Sequence, residues 1–289
     1  MMREWKIAIA SADEAPLSAP LLLRGNILEN IPRASALGYD ALEVHLRENE
    51  NLDLVSIKAS LDANQIKISA LVTGRLMTEG ECSLLDDRPY SYEAAIEGLK
   101  KYIDLASELN TNIIIGWVKG NIPAGKTRDK YMKRLAKRLK IISDYAVDKE
   151  VDVFLEVINR YEVNVFTTAK ETMGFLEDNN LPNLYVHLDT FHMNIDESDP
   201  YEAIKICGDK LGYFHLADNT RRYPGSGTIN FKKILEALNC INYNGYLSVE
   251  CLPIPSEKEA AEEALKYLKS ITKKNFLYTA DNENVVNSD

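Results

Sequence analysis

The chain has 289 residues, 45% of them hydrophobic and 27% charged, and its 34 basic and 44 acidic side chains leave a net charge of −10. That length suits one large α/β domain of the ~250-residue kind, and the composition is that of an ordinary soluble globular protein. The acidic balance excludes nonspecific binding to nucleic acid or to an anionic membrane surface, because both need clustered positive charge.

The chain opens Met1-Met2-Arg3-Glu4-Trp5-Lys6, with charges where a secretory leader is apolar, and no run approaches the ~18 apolar residues of a membrane span. Cys82, Cys207, Cys240 and Cys251 form no Cys-x-x-Cys pair, so they read as reduced residues, mostly core packing. We therefore expect a cytoplasmic protein.

From Trp5 onward, short apolar runs alternate with amphipathic stretches. Strands are predicted over Trp5–Ala10, Ala41–His45, Ile66–Val72, Asn112–Gly116, Val151–Glu156, Leu184–Leu188, Leu211–Leu216 and Gly245–Glu250. Helical stripes separate them, such as Ile27/Ile31/Ala34/Leu37, Ile96/Leu99/Ile103/Ala106, Leu135/Leu139/Ile142/Ala146 and Ala261/Leu265/Leu268/Ile271. Gly38 and Gly208 stand where helix C-caps fall. Eight strand–helix units with uniformly apolar strands predict a parallel sheet closed into a (β/α)8 TIM barrel. An open doubly wound sheet would want a glycine-rich turn after the first strand, and Ala10-Ser11-Ala12-Asp13-Glu14 has no glycine. One domain is expected over 1–275, followed by a polar, aperiodic tail over 276–289. The basic stretch Lys126–Lys140 reads as the solvated face of an outer helix, with Tyr131, Leu135 and Leu139 turned inward.

Four ligand-type side chains occupy equivalent places on successive strands. Glu156, Asp189 and Glu250 end the fifth, sixth and eighth, and His215 lies near the end of the seventh. C-terminal strand ends of such a barrel converge on one mouth, where active sites form. Three carboxylates crowded there repel one another unless a cation joins them. Three oxygens and one imidazole nitrogen suit Mn2+, with Mg2+ or Co2+ as alternatives; no organic cofactor is indicated. His45 faces the same mouth or the wall, His187 reads as a satisfied core histidine, and Lys119 and Trp117 follow the fourth strand with their roles open.

Several motifs carry a resemblance. Leu155-Glu156-Val157-Ile158-Asn159-Arg160-Tyr161-Glu162, Leu188-Asp189-Thr190-Phe191-His192-Met193-Asn194, His215-Leu216-Ala217-Asp218-Asn219-Thr220-Arg221 with Pro224-Gly225-Ser226-Gly227, and Ser248-Val249-Glu250 resemble the signatures of the xylose-isomerase-like sugar isomerases and epimerases. The resemblance spans most of the chain. It implies that Glu156, Asp189, His215 and Glu250 bind the metal, with Glu156 and Glu250 doubling as acid/base groups. It also implies that Glu162, His192 and Arg221 hold substrate oxygens, and it leaves Asp218 without a settled role. Its substrates are small sugars or sugar acids, of the tagatose/psicose or 5-keto-L-gluconate kind, epimerised through a metal-stabilised enediolate. A homo-oligomer is expected on the same ground.

The physics agrees with this division of labour. Epimerisation takes a proton from one face of a carbon beside a ketone and returns it to the other, and two carboxylates supply two faces. An aldose–ketose or keto-inositol isomerase would use the same site. A metal-dependent endonuclease needs a histidine-richer site than His45, His187, His192 and His215 provide, and a non-catalytic sugar-binding protein needs no opposed carboxylates.

Overall fold

The computed structural model describes residues 5–47 and 52–273, so the expected tail over 276–289 and the residues Met1 to Glu4 lie outside the described residues. Eight parallel strands form the barrel: β1 (Lys6–Ala12), β2 (Ala41–His45), β3 (Lys67–Val72), β4 (Ile113–Ile115), β5 (Val153–Glu156), β6 (Leu184–Asp189), β7 (Leu211–Leu216) and β8 (Tyr246–Val249). Each pairs with the next, and β1 pairs with β8 through Lys6↔Tyr246 to Ile9↔Val249, which closes the ring. A two-residue strand, Leu23–Arg24, adds to the mouth end of β1. All eight predicted strands are present, with ends that coincide or differ by at most two residues; Glu250 lies one residue beyond β8.

The outer layer comprises α1 (Ile27–Leu37), α2 (Leu54–Asn64), α3 (Arg75–Thr78), α4 (Pro89–Glu108), α5 (Arg128–Asp148), α6 (Ala169–Asn179), α7 (Thr190–Asp196), α8 (Pro200–Cys207), α9 (Phe231–Cys240) and α10 (Glu257–Lys273). Helix α1 shows how the chain punctuates them. The Asn26 side chain accepts from Glu29 N at the start, and Gly38, at φ +89°, donates to the carbonyls of Ala34 and Ser35 at the end. Helix α5 carries the basic stretch as expected. Tyr131, Leu135 and Leu139 are buried, while Lys133 and Lys140 pair with Asp129 and Asp144 on the exposed face. No described helix is long and apolar enough to cross a membrane.

The strands read as continuous apolar runs because both faces are covered, but the two faces differ. Ile9, Val44, Ile113, Leu155, Leu188, Leu216 and Val249 point outward into the core shared with the helices. The inward positions form layers. Ala70, Val72, Ile114, Phe154 and Tyr213, with Tyr185 and Tyr246, make an apolar and aromatic floor. Alternation then carries the chain from Phe154 to Glu156, from Tyr185 to His187 and Asp189, from Tyr213 to His215, and from Tyr246 to Ser248 and Glu250. The strand register therefore stacks a buried polar layer on an aromatic floor at the C-terminal mouth.

The floor leaves no room at Gly212. A Cβ there would sit 2.6 Å from Phe154 Cε1 and 2.7 Å from Tyr185 Cβ. Gly212→Ala is expected to lower stability by about 1–3 kcal/mol, read as a shifted denaturant midpoint. An unchanged midpoint would show that the floor is not close-packed at this point.

Candidate functional site

The four strand-end residues do converge. His215 Nδ1 lies 3.5 Å from Glu250 Oε2, 3.7 Å from Asp189 Oδ2 and 3.9 Å from Glu156 Oε1. This nitrogen is buried and has no hydrogen-bond partner among the described residues. Its orientation is fixed from behind: Nε2 donates to Glu43 Oε2 at 2.8 Å. Gly116, one residue beyond β4 and two beyond the inward-facing Ile114, is what makes space for Glu156, since a Cβ there would collide with Glu156 Oε2.

Glu43 is a functional residue that sequence reasoning missed. It is fully buried. Besides His215 it accepts from Tyr213 Oη at 2.9 Å and, on its other oxygen, pairs with His45 Nε2 at 3.0 Å. Burial pushes its carboxyl up, but His215 and His45 outweigh burial and hold it well below the usual carboxylate range. Its place between Leu42 and Val44 hides it in an apolar run; the available signal was that it shares the inward face with His45. A carboxylate behind a ligating histidine fixes the ring and the tautomer and raises its basicity.

The three carboxylates differ electrostatically. Burial lifts Glu156 to about 8, and Glu250 and Asp189 add to the lift against His215 and Lys119. Glu250 stays below its ordinary value because His215 and Arg221 outweigh its burial. Asp189 is held well below, with Arg221 and His192 again outweighing burial. The guanidinium of Arg221 donates from Nη1 to Asp189 Oδ2 at 2.6 Å and from Nη2 to Glu250 Oε2, and lies 4.7 Å from the centre of the Phe191 ring. His215 is itself pushed well above its ordinary value, since Glu43 and Glu250 outweigh burial. The cluster thus collects positive charge from every side. A buried nitrogen aimed at three carboxylate oxygens fits a hard divalent cation, and Glu156, Asp189, His215 and Glu250 are the side chains that could hold it.

His192 sits in the first turn of α7, not on a loop as its distance from Asp189 suggests. Asp189 explains the difference: its Oδ1 accepts from Phe191 N at 2.7 Å and caps the helix, while Oδ2 faces the cluster. Asn159 Oδ1 accepts from Tyr161 N, so Nδ2 is the atom that donates to His192 Nδ1 at 2.7 Å and to Glu162 Oε1 at 2.8 Å. That leaves the His192 proton on Nε2, 3.9 Å from both Glu156 Oε1 and Asp189 Oδ2. Burial lowers His192 to about 4, so it is a neutral donor at pH 7. Glu162 also accepts from Trp117 Nε1 at 3.1 Å, at the mouth.

Lys119, His45 and His187 now have places. Lys119 does not face the mouth. It is fully buried, donates to the carbonyls of Gly116 and Glu156, and burial lowers it to about 8. His45 faces the mouth and lies 3.6 Å from Glu250 Oε1. His187 is a core histidine but not a satisfied one: its ring packs edge-on against His215 at 4.1 Å, and neither nitrogen has a hydrogen-bond partner among the described residues.

Asp218 organises the loop that carries Arg221. Its buried carboxylate accepts from the backbone N–H of Asn219 (2.9 Å), Gly225 (3.0 Å), Gly227 (2.8 Å) and Ile229 (3.1 Å). Within this knot Arg221 adopts φ +59°, its N–H donates to Asp218 O, and its carbonyl accepts from Leu252 N at 2.7 Å. The left-handed turn and the Leu252 bond direct the guanidinium over Asp189 and Glu250. Glu156, Glu162, His192, Arg221 and Glu250 all line one cavity of about 630 Å³ at the barrel mouth.

A family model described as a xylose isomerase-like TIM barrel matches residues 31–271. L-ribulose 3-epimerase of Methylomonas sp. (strain DH-1) is 31% identical over 223 residues, covering 76% of this chain and 76% of that protein. 3-Dehydro-D-guloside 4-epimerase of Escherichia coli (strain K12) is 26% identical over 236 residues, covering 78% and 87%. The crystal structure of 3-keto-D-glucoside 4-epimerase from E. coli shares the fold, with a TM-score of 0.80 at 23% identity over 92% of this chain and 100% of that one.

Asp218→Asn puts an amide donor against backbone N–H groups that need an acceptor. The variant is expected to lose about 1–3 kcal/mol of stability and to speed amide hydrogen exchange at Gly225, Gly227 and Ile229. Unchanged exchange at those amides would contradict the organising role.

Proposed function

We propose a function from a fixed premise: the chain belongs to the xylose isomerase-like TIM-barrel family. On that premise the mouth is a divalent-metal-dependent epimerase site for a keto sugar. The observation that carries this reading is the His215 Nδ1 atom, buried without a hydrogen-bond partner among the described residues and faced by carboxylate oxygens of Glu250, Asp189 and Glu156. The names of two relatives, a ribulose 3-epimerase and a dehydroguloside 4-epimerase, support the keto-sugar class and the reaction type.

Glu156, Asp189, His215 and Glu250 would hold the metal, with Mn2+ suited to the donor set. Bound there, a divalent cation supplies positive charge beside the substrate carbonyl, where negative charge develops when the neighbouring carbon loses its proton. Glu156 and Glu250 carry the proton. They extend from β5 and from the end of β8, strands three places apart in a ring of eight, so they reach the cluster from different sides. Without a cation Glu156 holds a proton up to about 8 while Glu250 stays below its ordinary value. With a cation bound Glu156 loses that proton, so both carboxylates can act as bases: one takes the proton from carbon on its face and the other, protonated from solvent, returns one on the opposite face, as inversion at a carbon requires. His192 Nε2–H and the Arg221 guanidinium hold substrate oxygens near the cluster, and Glu162 accepts from a hydroxyl at the mouth. Phe191 and Trp117 shield this chemistry from bulk water.

NMR of the Mn2+-loaded enzyme with keto sugars in D2O tests the reaction directly. Deuterium is expected at the inverted carbon, and Glu156→Gln and Glu250→Gln are each expected to lower the rate about 10²–10⁴-fold. Epimerisation with full retention of the original hydrogen, or a variant at wild-type rate, would contradict the two-carboxylate assignment. Cation binding has its own pH signature. At pH 6 the ion must displace protons held by Glu156 and His215, and at pH 8.5 Glu156 has already released its own. Mn2+ is therefore expected to raise Tm more at pH 8.5 than at pH 6; an equal or reversed shift would contradict the ligand set.

A further inference from the structure

We propose that the keto sugar accepted here is uncharged and carries an apolar substituent, as in a glycoside with a hydrocarbon or aryl group, which occupies an outer subsite walled by Pro16, Ala19, Pro20, Leu21, Trp117 and Leu252. This rests on the epimerase reading above for the reacting end of the molecule.

The first observation is size. The cavity of about 630 Å³ lies in the range of roughly 300–1,000 Å³ that takes drug-sized ligands, whereas a hexose has only about a dozen heavy atoms. A ring placed against Glu156, His192, Arg221 and Glu250 leaves the outer part of the cavity to be filled by something attached to it.

The second is the construction of the outer wall. The segment after β1 contributes Pro16, Ala19, Pro20 and Leu21, and two of these are prolines without an N–H to offer a hydroxyl. The carbonyls of the segment are turned away and consumed. Arg24 donates to Ala15 O (3.0 Å), Pro16 O (2.9 Å), Ala19 O (3.2 Å) and Leu21 O (2.7 Å), and is anchored by Glu257 at 2.8 Å. One guanidinium thus satisfies four carbonyls of the wall, whose lining side chains are apolar apart from the Ser18 hydroxyl. Trp117, 43% exposed, lines the same cavity with its ring nitrogen held by Glu162. An indole and two prolines lining one cavity suit an apolar or aromatic group.

The third is charge. A phosphate or carboxylate on the substrate needs an uncommitted cation. Among the described residues lining the cavity, Arg75 is bound to Asp13, Glu14 O and Glu79, and Arg221 to Asp189 and Glu250. His45 pairs with Glu43, and His192 Nδ1 is held by Asn159 Nδ2. The Glu162 carboxylate in the lining repels an anion. The sugar-acid substrates that the sequence resemblance allows therefore find no partner in the outer cavity.

The test titrates Mn2+-loaded enzyme by Trp fluorescence with three compounds: the methyl glycoside and the phenyl glycoside of one keto-hexose, and a ketose phosphate. The same compounds are followed by NMR in D2O. The phenyl glycoside is expected to bind about tenfold more tightly than the methyl glycoside, with the ketose phosphate weakest. Ala19→Asp is expected to erase the phenyl-over-methyl ratio, with circular dichroism and Tm confirming that the variant is folded. Equal affinities for the two glycosides, or tighter binding of the phosphate, would overturn the proposal whatever the turnover result. Phenyl preference without deuterium incorporation into any sugar would support the subsite and refute the epimerase reading instead, so the two fail separately.

Discussion

Three buried carboxylates held within 4 Å of one imidazole nitrogen are the constraint around which this molecule is arranged. Like charges gathered around one atom in a poorly solvated site cannot all persist without compensation. The surroundings supply it in layers. Arg221 grips the two carboxylate oxygens closest to His215, Glu43 orients the imidazole from below, and Lys119, buried beneath Glu156, adds a further positive charge. Much of the mouth can be understood as support for this cluster, from Gly116 making room for Glu156 to the Asp218 knot that presents Arg221.

The same atoms couple folding to chemistry. Asp189 ends β6, caps α7 with one oxygen and faces the cluster with the other, so the helix that carries His192 begins at a candidate ligand. Asn159 then sets the tautomer of His192 while tying Glu162 to the same patch. A change at any of these positions alters geometry at its neighbours, and additivity between substitutions in this network is not expected.

The barrel and the quartet were legible in the sequence because both follow from periodicity. Apolar runs separated by amphipathic stretches imply covered parallel strands, and a carboxylate or histidine at the end of four successive runs implies a shared mouth. Glu43 escaped because a charged residue inside an apolar strand gives no pattern of its own until the register puts it behind His215. Arg24 and Lys119 escaped for a different reason: apart from Glu257 on Arg24, the partners named for them are backbone carbonyls, which leave no mark on side-chain sequence. The placement of His192 on α7 was hidden by the double role of Asp189, and the unsatisfied ring of His187 depends on what surrounds it in three dimensions.

Anomalous diffraction from crystals soaked in Mn2+, with data on both sides of the manganese absorption edge, tests the central claim most directly. A single strong peak bonded to His215 Nδ1 and to oxygens of Glu156, Asp189 and Glu250 is the predicted result. A soaked, catalytically active crystal with no peak between those four side chains, or with its manganese held elsewhere, would contradict the account.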